Sequence, residues 1–193
     1  MSSDETLEVL ELKGAILHGH FRLSSGRHSD LFVQKFRVLE DPATARSLGE
    51  NLARNFDGDF DVVAAPAVGA IVLGFATALA ANARSIFAER SDGAMAFRRG
   101  FSLAPEERVL VIEDVVTTGG SAREIVDLVR ASGARVAGVG ALIDRSEASA
   151  LPDFGAPLRA LVRLETRSWE PEECPLCDAR RPISDPGSRR LEI

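Results

Sequence analysis

Apolar positions along the chain fall into two kinds of run. Leu7, Val9, Leu10 and Leu12, after a Ser-Ser-Asp-Glu start, predict a short helix with Ser3 or Asp4 as N-cap, ending near Gly14. A polar segment follows. Residues 31–36 then read as a strand, and Asp41-Pro42 opens a helix to about Phe56, with proline at its first position. Asp57-Gly58-Asp59 is a turn. Beyond it, residues 61–65, 84–88, 108–112 and 135–143 are continuous apolar runs separated by helix-length segments. Strands of that kind between helices predict a parallel sheet covered on both faces. Residues 92–104 interrupt the alternation and predict a hairpin flap or mobile loop carrying Arg98 and Arg99. Residues 158–164 offer one more strand, and from Pro171 onward the Pro, Cys, Gly and Arg content predicts an irregular tail.

Composition narrows the class. A chain of 193 residues with 45% apolar and 27% charged residues suits one α/β domain. It buries roughly 70% of its unfolded surface, so it needs no disulfide or metal staple. Residues 62–83, the longest candidate membrane span, are Ala/Gly-rich and broken by Pro66, so no span is expected. The acidic N-terminus and the presence of only two cysteines lead us to expect a cytoplasmic protein. A net charge of −6 argues against a nucleic-acid coat and leaves small anionic ligands. Of 23 basic residues, 21 are arginine, and only Lys13 and Lys35 are lysine. The arginines are spread along the chain, which base-composition bias would explain.

The segment that carries chemistry is Arg108-Val-Leu-Val-Ile-Glu-Asp-Val-Val-Thr-Thr-Gly-Gly-Ser-Ala-Arg-Glu124. A buried strand ends in Glu113 and Asp114, passes Val115 and Val116, and reaches Thr117, Thr118, Gly119, Gly120 and Ser121 where a helix begins. Backbone N–H groups at such a turn converge on a phosphate at the positive end of the helix, and glycines let the backbone approach it. Carboxylates at the strand's C-terminal lip suit sugar hydroxyls. Neither a Walker loop nor a dinucleotide fingerprint is present.

This segment resembles the ribose-phosphate loop of type I phosphoribosyltransferases. Residues 12–29, Ala65-Pro-Ala-Val-Gly69, Phe87-Ala-Glu-Arg90, Arg98-Arg-Gly-Phe101 and Val139-Gly-Ala-Leu-Ile-Asp-Arg145 narrow the resemblance to the orotate phosphoribosyltransferase family. Cys174-Pro-Leu-Cys177 and Asp185-Pro-Gly-Ser-Arg189 look like one bacterial subgroup of it. The resemblance implies a central, mostly parallel sheet flanked by helices, with a small hood from residues 1–40 and the tail 165–193 over a core of 41–164. It implies phosphoribosyl diphosphate and orotate as substrates, magnesium carried on the diphosphate, and a homodimer. Glu113 and Asp114 match the carboxylates that hold the ribose hydroxyls, and residues 117–121 match the 5-phosphate cradle. Thr117, Arg145 and Phe32 match orotate contacts. Ala67, Val68 and Gly69 match the pyrophosphate loop, and the Ser24–His28 loop matches one that closes over substrate.

The sequence also departs from the family. Many members place lysines at Ser24, at Gly69 and in the mobile loop, together with a loop histidine, whereas this chain has neither Lys nor His after Lys35. Arg90, Arg98 and Arg99 are the cations left for the pyrophosphate. Arg90 is favoured, and with Asp114 it is expected to act on the reacting groups. Cys174 and Cys177 supply only half of a zinc site, which a dimer partner or histidines would have to complete, so packed reduced thiols and no metal are expected. A purine or xanthine phosphoribosyltransferase is the alternative enzyme, and a ligand-sensing regulator on the same fold is the alternative outside catalysis.

Overall fold

The computed structural model describes residues 1–23, 25–147 and 150–186. Ser2 caps α1 (Ser3–Leu12) in a reciprocal capping box with Glu5, one residue earlier than the apolar spacing suggests. The supposedly polar segment after it forms β1 (Ile16–Arg22), which pairs antiparallel with β2 (His28–Val33). The strand expected over 31–36 thus begins and ends earlier. Phe36 instead lies in the single-turn α2 (Phe36–Leu39), which leads into α3 (Pro42–Asn55) with Asp41 as its side-chain cap.

The alternation then proceeds as the apolar runs predict, through β3 (Val62–Pro66), α4 (Ile71–Ala81), β4 (Arg84–Ser91), β5 (Ala94–Phe97), β6 (Arg108–Val116), α5 (Gly120–Ala131), β7 (Arg135–Asp144) and β8 (Leu158–Arg163). Residues 92–104 resolve into a tight β4–β5 hairpin turning at Asp92-Gly93, followed by a connection to β6. The tail holds β9 (Ser168–Trp169), one 3-10 turn and the short α6 (Pro175–Asp178).

Two sheets result, a six-stranded one in the order β5-β4-β3-β6-β7-β8 and a three-stranded one in the order β1-β2-β9. All pairings in the larger sheet are parallel except β4–β5. Its central strands β3, β6 and β7 are buried on both faces, as continuous apolar runs require, while β4, β5 and β8 are partly exposed. Leu110 and Ile112 of β6 join Leu48, Leu52 and Leu73 of α3 and α4 on one face. Val109 and Val111 join Ala122, Ile125, Val126 and Val129 of α5 on the other. The i, i+3, i+4, i+7 spacing of those α5 residues makes one apolar stripe. α1 packs on β8 of the larger sheet and also touches β1 of the smaller one, so the first dozen residues bridge the two.

Candidate active site

Chain direction locates the site. From β3 the chain moves through α4 to β4 on one side, while β6 lies on the other side of β3 and moves away through α5 to β7. The strand order reverses between β3 and β6, and the crevice beyond their C-terminal ends is where an open α/β sheet receives a ligand. The loop after β3 is Ala67-Val68-Gly69, and the loop after β6 is Thr117–Gly119. A cavity of about 230 Å³ at the second is lined by Arg90, Glu113, residues 115–121 and Glu124. A larger groove of about 490 Å³, between the C-terminal ends of α3 and α4, lies at the end of the sheet where strands begin, away from these loops.

The phosphate-type loop requires its glycine. Gly119 has φ +76°, and a Cβ there would meet Phe154 Cζ and Pro152 Cβ at 2.8 Å each. Both the left-handed backbone and the packing therefore exclude a side chain. Thr117, Thr118 and Gly120 are exposed and Ser121 is half-buried, so the turn is open to a ligand while Val116 anchors it in the core.

Glu113 and Asp114 are buried within β6, which continues past them to Val116. Asp114 Oδ2 makes a close ion pair with Lys35 Nζ, and Oδ1 accepts from the Val115 N–H at 2.6 Å. Gly69 sits directly against this pair. A Cβ on it would lie 1.9 Å from Asp114 Oδ2 and 2.7 Å from Lys35 Nζ. Lys35 thus places an ammonium group beside the loop after β3, where the sequence offered only arginines.

Burial, reinforced by the neighbouring Asp114 charge, pushes the Glu113 carboxyl well above the usual carboxylate range. A carboxyl with a raised folded-state pKa binds a proton that the unfolded chain has already released. Its contribution to stability is complete below the ordinary carboxylate pKa and is lost as pH rises through the raised one. Substrate-free protein is therefore expected to lose melting temperature between about pH 5 and about pH 8. Glu113→Gln, which cannot ionise, should lose less; equal slopes would assign the pH dependence to other groups.

Arg145 follows the end of β7. The β6–β7 register sets Val116 opposite Asp144, and the Arg145 N–H donates to the Val116 carbonyl at 2.8 Å, so Thr117 and Arg145 leave the sheet side by side. Buried Asp144 accepts from the Ser146 N–H at 2.8 Å and from its hydroxyl, fixing the turn. The Arg145 guanidinium donates through Nε and Nη2 to Thr166 Oγ1 at 3.2 and 3.0 Å. Burial pushes its pKa down, while the Asp30 charge opposes this. Among the described residues no carboxylate lies within ion-pairing distance of it, which separates it from an ordinary surface arginine. Asp30 and Phe32 alternate onto one face of β2, so the strand whose charge reaches Arg145 also presents the Phe32 ring on that side.

The remaining candidates separate. Arg90 lines the cavity, but its guanidinium is bound to Glu124 at 2.6 and 3.2 Å and to the Gly93 carbonyl. Arg98 and Arg99 pair with Glu89 of β4. Ser24 lies outside the described residues, as does the tail motif beyond Pro186. Sequence reasoning missed Lys35, Glu124, Asp144 and Thr166. Only the rarity of lysine in the chain could have drawn attention to any of them.

A family model described as the phosphoribosyl transferase domain matches residues 38–157. An orotate phosphoribosyltransferase of Pelotomaculum thermopropionicum is 47% identical over 99% of this chain and 100% of its own length. That of Caldanaerobacter subterraneus subsp. tengcongensis is 45% identical over the same shares. Among solved structures, an orotate phosphoribosyltransferase of Mycobacterium tuberculosis in complex with Fe(III) dicitrate superposes with a TM-score of 0.68 at 27% identity. The match covers 84% of this chain and 96% of that one.

Proposed function

The chain belongs to the orotate phosphoribosyltransferase family, and on that footing we propose that it joins phosphoribosyl diphosphate to orotate, giving orotidine monophosphate and pyrophosphate for pyrimidine synthesis. The observation that carries this reading is Arg145, a half-buried guanidinium with no carboxylate partner among the described residues, held beside the phosphate-type loop. Orotate brings a carboxylate, which a guanidinium can take bidentately. A purine base brings none. Thr117 and Phe32 complete the base subsite.

The 5-phosphate is taken by the N–H groups and hydroxyls of residues 117–121 at the start of α5, and the ribose hydroxyls by Glu113 and Asp114. Pyrophosphate faces Ala67, Val68 and Gly69, with Lys35 and Arg90 as the nearby cations. Magnesium arrives on the diphosphate as part of the substrate, where it keeps several water ligands and needs no acidic cage. The bond from C1′ to the pyrophosphate oxygen breaks with its electron pair leaving on that oxygen. Orotate N1 gives up its proton to water or to the departing pyrophosphate, and its lone pair forms the new bond to C1′. This single proton needs no dedicated side chain, so the protein's task is to stabilise charge on a ribosyl cation-like transition state. The test is the full chain with phosphoribosyl diphosphate and magnesium: orotate absorbance falls as pyrophosphate appears. Turnover of a purine base with none of orotate would overturn the assignment.

We also read the protein as a homodimer. Val72, Phe75 and Leu79 are 42%, 60% and 63% exposed on one face of α4, and Val68 in the preceding loop is 71% exposed. A continuous apolar stripe of this kind marks an interaction face, and it begins inside the pyrophosphate loop. A second copy on this face would bring its neighbour's residues to the crevice. Phe75→Glu with Leu79→Glu is expected to convert a dimer to a monomer by light scattering with chromatography; an unchanged mass places the interface elsewhere. No described helix is long and apolar enough to cross a membrane, and the free thiols suit a reducing compartment, the cytoplasm.

A further inference from the structure

One cluster of metal-type ligands lies apart from the crevice. His20 of β1, His28 of β2, and Cys174 and Cys177 beside α6 bring one ligand atom each to within 4.8 Å of all the others. His20 Nε2 is 3.2 Å from His28 Nδ1 and 3.5 and 3.7 Å from the Cys174 and Cys177 sulfurs. Cys177 Sγ is 3.3 Å from His28 Nδ1. Tetrahedral zinc, with bonds of about 2.05 Å to nitrogen and 2.3 Å to sulfur, sets ligand edges of about 3.3 Å for N···N and about 3.6 Å for N···S. These four separations agree with those edges to within a few tenths of an ångström, and the remaining pairs lie within 4.8 Å.

From this agreement we propose that His20, His28, Cys174 and Cys177 bind one zinc ion per chain as a closed structural site. The inference is independent of the reaction proposed above.

The surroundings support a ligand set more than a chance contact of polar groups. His20, His28 and Cys174 are all buried, although imidazoles are seldom placed in a core without a partner. The Arg181 carbonyl lies 2.9 Å from His20 Nδ1 and can only accept, so Nδ1 carries the proton and Nε2 turns its lone pair to the cluster. This is the outer partner that orients metal-bound histidines. The Cys177 N–H donates to the Cys174 carbonyl at 3.0 Å, folding the Cys-x-x-Cys segment so that both sulfurs point one way. Two thiolates with two imidazoles select zinc over hard cations such as magnesium, and four protein ligands leave no position for a substrate.

The four ligands join the smaller sheet to the tail. The ladder between β2 and β9 is two residue pairs long, His28 with Trp169 and Ser29 with Ser168, and Arg27, the Ser29 hydroxyl and the Phe21–Ser184 bridge add further contacts to the tail. An ion there would clip the tail to the sheet carrying Asp30 and Phe32. It therefore acts on the base-side wall by positioning, without touching substrate.

The test uses the full chain, reduced and stripped with a chelator, and titrated with cobalt(II) and then zinc. Cobalt should give the intense visible bands of a tetrahedral ion with thiolate charge transfer, zinc should bleach them at one equivalent, and zinc should raise the melting temperature. Cys177→Ser, at the outer edge of the cluster, should lose the charge-transfer intensity and the zinc-dependent rise. If that variant fails to fold, the wild-type cobalt spectrum still decides. Octahedral-type weak cobalt bands, a melting temperature indifferent to zinc, or isolation of the protein with a Cys174–Cys177 disulfide in place of metal would each overturn the proposal.

Discussion

Replacing Arg145 by alanine is expected to remove orotate turnover while leaving phosphoribosyl diphosphate binding within a few-fold of wild type. The guanidinium already lacks a carboxylate partner among the described residues, so its loss unpairs no acid in the fold. Only the Thr166 hydroxyl is released. Stability should move by about 1 kcal/mol or less, the net worth of a typical hydrogen bond. The substrate loses two charge-assisted bonds of about 1.5–3 kcal/mol each, which corresponds to roughly 10²–10⁴-fold in kcat/KM for orotate. The loop at residues 117–121 is held by Val116 and by the packing of Gly119 on Phe154, both untouched by the change. Steady-state kinetics on orotate, beside calorimetric titration of phosphoribosyl diphosphate, separate the effects. Parallel losses in both would dismiss the assigned role.

A second large effect concerns Lys35 and Gly69 taken together. In the native protein Lys35 draws Asp114 Oδ2 across the face of Gly69, so a side chain at 69 would strike that oxygen. Gly69→Lys alone should therefore be severely damaging. Lys35→Ala alone leaves Asp114 buried without its cation and removes an ammonium from the pyrophosphate side. A drop of about tenfold or more in affinity for phosphoribosyl diphosphate and a loss of about 1–3 kcal/mol of stability are expected, less than for a fully buried pair because Lys35 is partly exposed. Combined, the two changes should be less harmful than their sum. With Lys35 gone only the Val115 N–H still holds the carboxylate, through Oδ1, so Oδ2 is free to turn away from position 69, and the new lysine restores a cation there. A double-mutant cycle on kcat/KM and on melting temperature reads this coupling directly. Strict additivity would show that the ammonium at 35 does not serve the loop after β3.

What was legible in the sequence depended on distance along the chain. The β3, β6, α5 and β7 segments carry their own signals, in continuous apolar runs, a glycine at the turn and an apolar stripe, and the structure places them as read. β1 was hidden because its buried positions include His20, whose polarity reads as surface until the two cysteines 154 and 157 residues away are brought to it. The phosphate-type loop is local and was found. Lys35 owes its place to Asp114, with α2, α3, α4 and the strands β3, β4 and β5 between them along the chain, and Arg145 to Thr166 and Asp30, so side-chain periodicity alone could not have joined them. Arg90, the favoured cation by sequence, reaches the cavity but does so held by Glu124 of α5.

The strand order also sets how long each half of the crevice keeps its shape. β6 is hydrogen-bonded to parallel neighbours on both sides, β7, which follows it in the chain, and β3, which precedes it with β4 and β5 between. Its amides are expected to meet solvent only when the six-stranded sheet comes apart, so the strand end that carries residues 117–121 should last as long as the native state itself. The strand bearing Phe32 has β1 on one side and only the two-residue β9 on the other. Amides of β2 are therefore expected to exchange with solvent sooner than those of β6, and hydrogen exchange at residues 28–33 and 108–116 measures the difference.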